Sequence, residues 1–233
     1  MAYNDDQLGY WAFAYQAGGH ILTADRTQAG YTNPGSVKGI EFYVNMQKED
    51  WCPDQTFFAE TTPNTAFFSE MGAMYMEGTW NLPQWMKIYP DMRGKWDIAK
   101  LPKCTDPIED GESLDKEGRA TMSNGLCYAT GAHGKKLEAA LDVIKYFGTE
   151  ETWRSAFSSY EEQLNLDVCF DQFDYAIQAV YNSASSKWKS QVLDELNKAY
   201  NGDQDLTTSL ENMQSIVNTE TAKKLAKMQR EGT

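Results

Sequence analysis

Catalysis or metal binding by side chains needs acids, bases, nucleophiles or ligands at set spacings, and few residues of this chain qualify. His20 and His133 are its two histidines; both fall in loop-like segments without a third ligand, which disfavours a zinc site. The segment TGAHGKK, residues 130–136, has glycines and lysines but neither the glycine spacing of a phosphate loop nor its hydroxyl residue after lysine. In DPIEDGESLDKE, residues 106–117, Asp106, Asp110, Gly111 and Glu117 fall at calcium-loop positions. Ile108 stands where an oxygen ligand belongs and Pro107 follows the first ligand, so a solvated acidic hairpin is the expectation. Carboxylate pairs such as Glu60 and Glu77, or Glu161 and Glu162, have the residue types of a glycosidase, as any acidic chain does. No serine or cysteine nucleophile carries a local signature. The sequence therefore predicts no catalytic residue, no metal ligand and no cofactor.

Aromatic side chains offer a different chemistry. The stretch GAMYMEGTWNLPQW, residues 72–85, reads as a short buried strand, Ala73–Glu77, broken at Gly78 and followed by Trp80 and Trp85. Trp80 follows the glycine instead of continuing a helical stripe, so its position suits a cleft better than a core. An indole offers a flat apolar face with one polar atom, and it can hold a flat ligand or fill a core. Trp85 and Trp96 read as core.

The chain has 233 residues, 41% of them hydrophobic, enough to bury a core in one large domain or two small ones. A formal charge of −13 disfavours nucleic acid and anionic membrane surfaces. It suits a neutral or cationic ligand, or serves solubility alone. Cys52, Cys104, Cys127 and Cys169 show no CxxC spacing; they would allow two disulfides in an exported protein, but Cys127, in the apolar run GLCYA, reads instead as a buried free thiol. The start, MAYNDDQLGYW, is not a signal peptide, and no apolar run reaches membrane-spanning length. The chain enters LGYWAFAYQAGG with no lead-in, which reads as a piece of a longer chain.

The elements that must position these residues follow from periodicity and caps. Leu8–Ala17 reads as an aromatic helix closed by Gly18-Gly19, and HILTADRTQAGY as a hairpin or loop. A helix starting at Asn33-Pro34 turns Val37, Ile40, Val44 and Met46 inward. Short helices are predicted over Pro63–Met71 and Asn81–Tyr89, and strands over KWDIAKLPK and ATMSNGLCYAT. From Lys135 onward helices dominate: two across KKLEAALDVIKYFGTEETWRSAF, one over Gln172–Ser183, and an amphipathic one through Trp188, Val192, Leu193 and Leu196. Thr208 and Glu211 read as a capping box for a last helix with Leu210, Met213, Ile216 and Val217 inward. Strands interleaved with helices, then a helical end, make the class α/β.

The order of these features is more specific than any one of them. YWAFAYQAGG, NPGSVKGIEFYVNMQK, AFFSEMGAMYMEGTW, WDIAKLP, SNGLCYATGAHGKKLEAALDVIKYFGTEETWRSAF and WKSQVLDELNKAYNGDQDLTTSLENMQSIVN follow one another as they do in the sugar-binding extracellular solute-binding proteins of ABC importers. The chain resembles that family, which includes maltose-binding protein, along nearly its whole length.

The resemblance implies the C-terminal lobe of a type II periplasmic-binding-protein fold, helix-rich, with the N-terminal lobe largely missing. Residues 1–129 would form the main part of that lobe, residues 130–159 a helical segment that docks on the missing lobe, and residues 160–233 the helical remainder. By resemblance, Trp80 lies flat against a pyranose ring in the cleft, with Trp188 as a second aromatic and Trp11 or Tyr10 as a third. Glu77, Asn81 and Asn124 would bond the sugar's hydroxyl rim. The family's usual Leu-Pro after TWRSAF is replaced by YEEQLNL, which alters the cleft wall there. The implied function is oligosaccharide capture without catalysis for an ABC transporter, and the partners are a small-molecule sugar and the transporter's membrane subunits. The implied location is extracellular, as an anchored lipoprotein or in the periplasm. A lobe without its mate would dimerise or swap domains. A glycoside-active enzyme module and a protein–protein interaction module built on the tryptophans are the competing readings.

Overall fold

A computed structural model describes residues 7–53, 55–108, 118–123, 130–160 and 164–231. In chain order the elements are α1 (Gln7–Gln16), α2 (Pro34–Lys48), α3 (Gln55–Glu60), α4 (Pro63–Phe68), α5 (Leu82–Ile88) and β1 (Thr121–Ser123). They continue with α6 (Lys135–Phe147), α7 (Glu150–Phe157), α8 (Asp167–Asp171), β2 (Ala176–Gln178), α9 (Ser185–Asn201) and α10 (Leu206–Glu231). The chain divides into two units: Met1–Asn81 with Leu101–Ser123 and Tyr175–Thr233, and Leu82–Lys100 with Asn124–Asp174.

In the first unit, α1 is apolar on every side and is buried on every side, from Tyr10 to Tyr15. It closes at Gly18-Gly19, whose amides return to the Tyr15 and Ala14 carbonyls. Pro34 opens α2, and the Asn33 side chain accepts the Gly35 amide at 2.9 Å. Ile40, Val44 and Met46 are buried, as their spacing predicts. At Gly39 the two helices touch: a β-carbon there would overlap the Phe13 carbonyl. The backbone cannot yield as a flexible side chain would, so Gly39→Ala is expected to cost roughly 1–3 kcal/mol through overpacking. Urea unfolding of the variant against the parent checks this. Helices α9 and α10 complete the core with Trp188, Val192, Leu196, Leu210, Met213 and Val217.

The strand β1 pairs in parallel with β2, Thr121 with Ala176, Met122 with Ile177 and Ser123 with Gln178. Met122 and Ile177 pack against the core, so this two-stranded sheet is covered by the helices. Four expectations are corrected here. Among the described residues, Ala73–Glu77 and Lys95–Lys103 are not strands, since the sheet there consists of β1 and β2 and takes in neither segment. Gln172–Ser183 is not a helix: α8 and a 3-10 turn lead into β2, whose Ile177 the core takes as a strand residue. The cap of α10 is Asp205, not Thr208; its carboxylate accepts the Thr208 amide at 2.9 Å and the Thr208 hydroxyl at 2.6 Å. The predicted strand ATMSNGLCYAT keeps Thr121–Ser123, and its residues 124–129, Cys127 included, lie outside the described residues.

In the second unit, Leu82, Trp85 and Met86 of α5 are buried, with Trp96 edge-on to Trp85 at 5.8 Å. Arg154 bonds Glu150 at 2.7 Å and Asp167 at 3.1 Å, and lies 3.9 Å over the Phe170 ring. Neither α6 nor α7 has a buried residue, and Val143, Tyr146 and Trp153 are exposed. Cys52, Cys104 and Cys169 are free thiols. Among the described residues, no helix is long and apolar enough to cross a membrane.

Candidate functional site

After α4 the chain runs from residue 72 to 78 without helix or strand, with a bend at Ala73. Exposure falls along it, from Ala73 and Met74 in solvent to half-buried Tyr75, Met76 and Glu77. Met74 is exposed, whereas Met76 packs against the core, where a β-carbon on Gly9 would lie 3.0 Å from its Cε. The expectation that Ala73 and Met74 are buried is therefore corrected: both face solvent. Tyr75 and Glu77 are half-buried, and the Tyr75 ring packs 6.3 Å from Phe67.

Three groups converge at Gly78. The Tyr75 hydroxyl donates to Glu77 Oε2 at 2.6 Å. The Gly78 amide donates to Glu77 Oε1 at 2.7 Å. The six-membered ring of Trp80 lies against the Gly78 α-carbon, where any β-carbon would collide with it. A 3-10 turn, Thr79–Asn81, makes this fold-back, closed by the Asn81 amide on the Gly78 carbonyl at 3.3 Å. Trp80 is 59% exposed although its ring lies against Gly78, the residue whose amide also holds the Glu77 carboxylate. Asn81 is half-buried at the base of the turn.

The other aromatic candidates stand elsewhere. Trp188, Trp11 and Tyr10 are each 0% exposed and belong to the core of the first unit. An indole or phenol with no accessible surface offers no face to a ligand, so the reading of these three as ligand contacts is corrected. The Trp188 N–H donates to Asn182 Oδ1 at 3.1 Å. Asn182 Nδ2 in turn donates to the Arg26 carbonyl and to Thr221 Oγ1. Asn124 lies outside the described residues, as do Glu161 and Glu162; Glu60 is exposed on α3. Sequence reasoning missed Tyr75 and Asn182. Tyr75 was findable, because an extended segment puts residues two apart on one side.

An open cavity of about 340 Å³ lies in the first unit, lined by Arg26, Tyr181, Asn182 and Thr221 among others. Its aromatic ring is already engaged by Lys189 at 4.8 Å and by Trp11 at 5.6 Å. It holds no exposed aromatic platform comparable with Trp80. Of the calcium-loop positions, Asp106 pairs with Lys38 at 2.7 Å, which holds its carboxyl below the usual range. Asp110, Gly111 and Glu117 lie outside the described residues. Among the described residues, no three His, Cys, Asp or Glu side chains are grouped to hold a metal ion.

Comparison with solved structures shows the fold. The sugar-binding protein MalE from Xanthomonas citri matches with a TM-score of 0.71 and 17% identity, over 98% of this chain and 59% of that one. The cyclic alpha-maltosyl-1,6-maltose binding protein from Arthrobacter globiformis matches with a TM-score of 0.67 and 17% identity, over 92% and 55%. An ABC substrate-binding protein from Listeria monocytogenes, solved in complex with cycloalternan, matches with a TM-score of 0.65 and 16% identity, over 95% and 58%. The chain thus spans between 55% and 59% of the length of these neighbours and has the helix-rich α/β architecture of part of a periplasmic-binding-protein fold. No curated protein sequence matches it. The model of the family described as bacterial extracellular solute-binding protein matches residues 1–161, a stretch that contains Tyr75, Glu77, Gly78 and Trp80. The chain belongs to the family of bacterial extracellular solute-binding proteins.

Proposed function

We propose that this chain captures an oligosaccharide, through Trp80, for an ABC importer, and that it makes and breaks no bond. A pyranose ring has axial C–H groups on its faces and hydroxyls on its rim. An exposed indole takes the face, and polar groups beside it take the rim. Trp80, with Glu77 and Asn81 close to it in the chain, has the residue types for this, and the exposed, glycine-seated indole is the observation that supports the reading most. The solved neighbours named for sugars support it as well. Capture of this kind acts by shifting an equilibrium between open and closed forms, the closed form being recognised by the transporter's membrane subunits. The protein then works outside the cytoplasm, in the periplasm or on a lipid anchor.

One platform and two polar side chains make a small contact. Dissociation constants on the order of 1 mM, worth about −4 kcal/mol, are expected for these 233 residues. A panel of neutral oligosaccharides, followed by saturation-transfer NMR and tryptophan fluorescence, tests this. Saturable binding of at least one sugar with unchanged ligand at the end supports the proposal. Silence across the panel, or turnover of labelled sugar, overturns it.

A further inference from the structure

The pair Tyr75–Glu77 does more than adorn the turn. Resting on the sugar-capture reading above, we propose that Glu77 is a specificity residue that makes the Trp80 platform accept neutral and amino sugars and reject acidic ones, with Tyr75 as the residue that positions it.

A free glutamate sweeps many rotamers; this one does not. Oε2 receives the Tyr75 hydroxyl at 2.6 Å and Oε1 receives the Gly78 amide at 2.7 Å, so both ends of the carboxylate are pinned. Tyr75 is itself seated against Phe67 at 6.3 Å. The glycine that pins Oε1 also carries the Trp80 ring, so one residue sets the acceptor and the platform relative to each other.

What this pair offers a ligand is one-sided. A carboxylate is acceptor-only, and each of its oxygens keeps a lone-pair direction after accepting one bond. The Tyr75 proton is committed to Glu77. Sugar groups that meet this edge must donate. Hydroxyls can, and an ammonium does so with charge assistance. The carboxylate of a uronic acid brings only acceptors and a like charge, in the field of a chain with a net charge of −13. Pinning matters because a mobile glutamate would swing away from a repelled ligand and discrimination would be lost.

The test measures ratios. The whole chain is titrated at low salt and pH 7 with glucose, glucosamine and glucuronate, then with the galactose counterparts, by saturation-transfer NMR. The parent protein is expected to bind the uronate roughly tenfold or more weakly than the neutral sugar, and the amino sugar at least as well as the neutral one. Glu77→Gln should bring the three within about threefold of one another. Tyr75→Phe should narrow the uronate gap without lowering the melting temperature, a result that a merely structural tyrosine would not give, since it would weaken all three ligands alike. Trp80→Ala separates the two readings. If Trp80→Ala removes binding yet Glu77→Gln leaves the uronate-to-neutral ratio unchanged, the specificity role fails and the platform stands. If no sugar binds, or if binding ignores Trp80→Ala, both fail.

Discussion

Trp80→Ala is expected to weaken sugar binding by roughly tenfold to a hundredfold, the equivalent of about 1.5–3 kcal/mol for a large apolar side chain buried by ligand. The ring is 59% exposed before a ligand arrives, so the folded chain loses little when it is removed. Unfolding free energy should change by no more than about 0.5 kcal/mol, as for other exposed positions. Trp80→Phe should keep a flat face of smaller area and fall between the two. Titration with the best sugar of the panel, beside thermal melts of the three proteins, checks the expectation. A variant that binds as tightly as the parent would remove Trp80 from the site.

Trp188→Ala should give the opposite pattern. This indole is 0% exposed within the aromatic core, and its N–H is bonded to Asn182. Truncation removes the packing of a whole ring and leaves a cavity, for which a loss of about 3–5 kcal/mol is expected. That is a large share of the roughly 5–15 kcal/mol that holds an ordinary domain together. Trp188→Phe keeps most of the volume but leaves Asn182 without the N–H, and should cost less, about 1–2 kcal/mol. Chemical denaturation of the three proteins reads both values. Sugar affinity per folded molecule should be unaltered in Trp188→Phe.

The contrast between these two tryptophans shows what the sequence discloses and what it withholds. Helical stripes were legible wherever one face had to be buried: Ile40 and Val44, Val192 and Leu196, and Met213 and Val217 are all inward. The order of segments was enough to assign the family and the fold class. Trp188 sits on such a stripe, and the stripe is why it is core. Trp80 follows a glycine turn outside any stripe and is exposed. Strands were harder to read, because a strand exists only when another chain segment is there to bond it. Ala73–Glu77 has the residue types of a strand but joins no ladder among the described residues, while Ala176–Gln178 was read as helix and pairs with Thr121–Ser123 across a long stretch of sequence. The cap of α10 was misplaced for a local reason: Asp205 and Thr208 both carry capping side chains, and only the geometry shows which one accepts. Tyr75 was overlooked as a polar residue because four apolar letters around Met74 suggested burial on both sides.

The first unit is assembled from three separated stretches of chain, Met1–Asn81, Leu101–Ser123 and Tyr175–Thr233. During synthesis the aromatic helix α1 leaves the ribosome well before the α9 and α10 residues that complete its core. At ordinary elongation rates that delay is on the order of ten seconds or more. Over that interval Trp11 lacks Tyr181 and Tyr43 lacks Tyr200, the late-made rings that they pack against in the folded chain. Until α9 and α10 are made, the face of α1 that they cover is unburied, and a stop codon ahead of them would release a polypeptide with that aromatic face exposed.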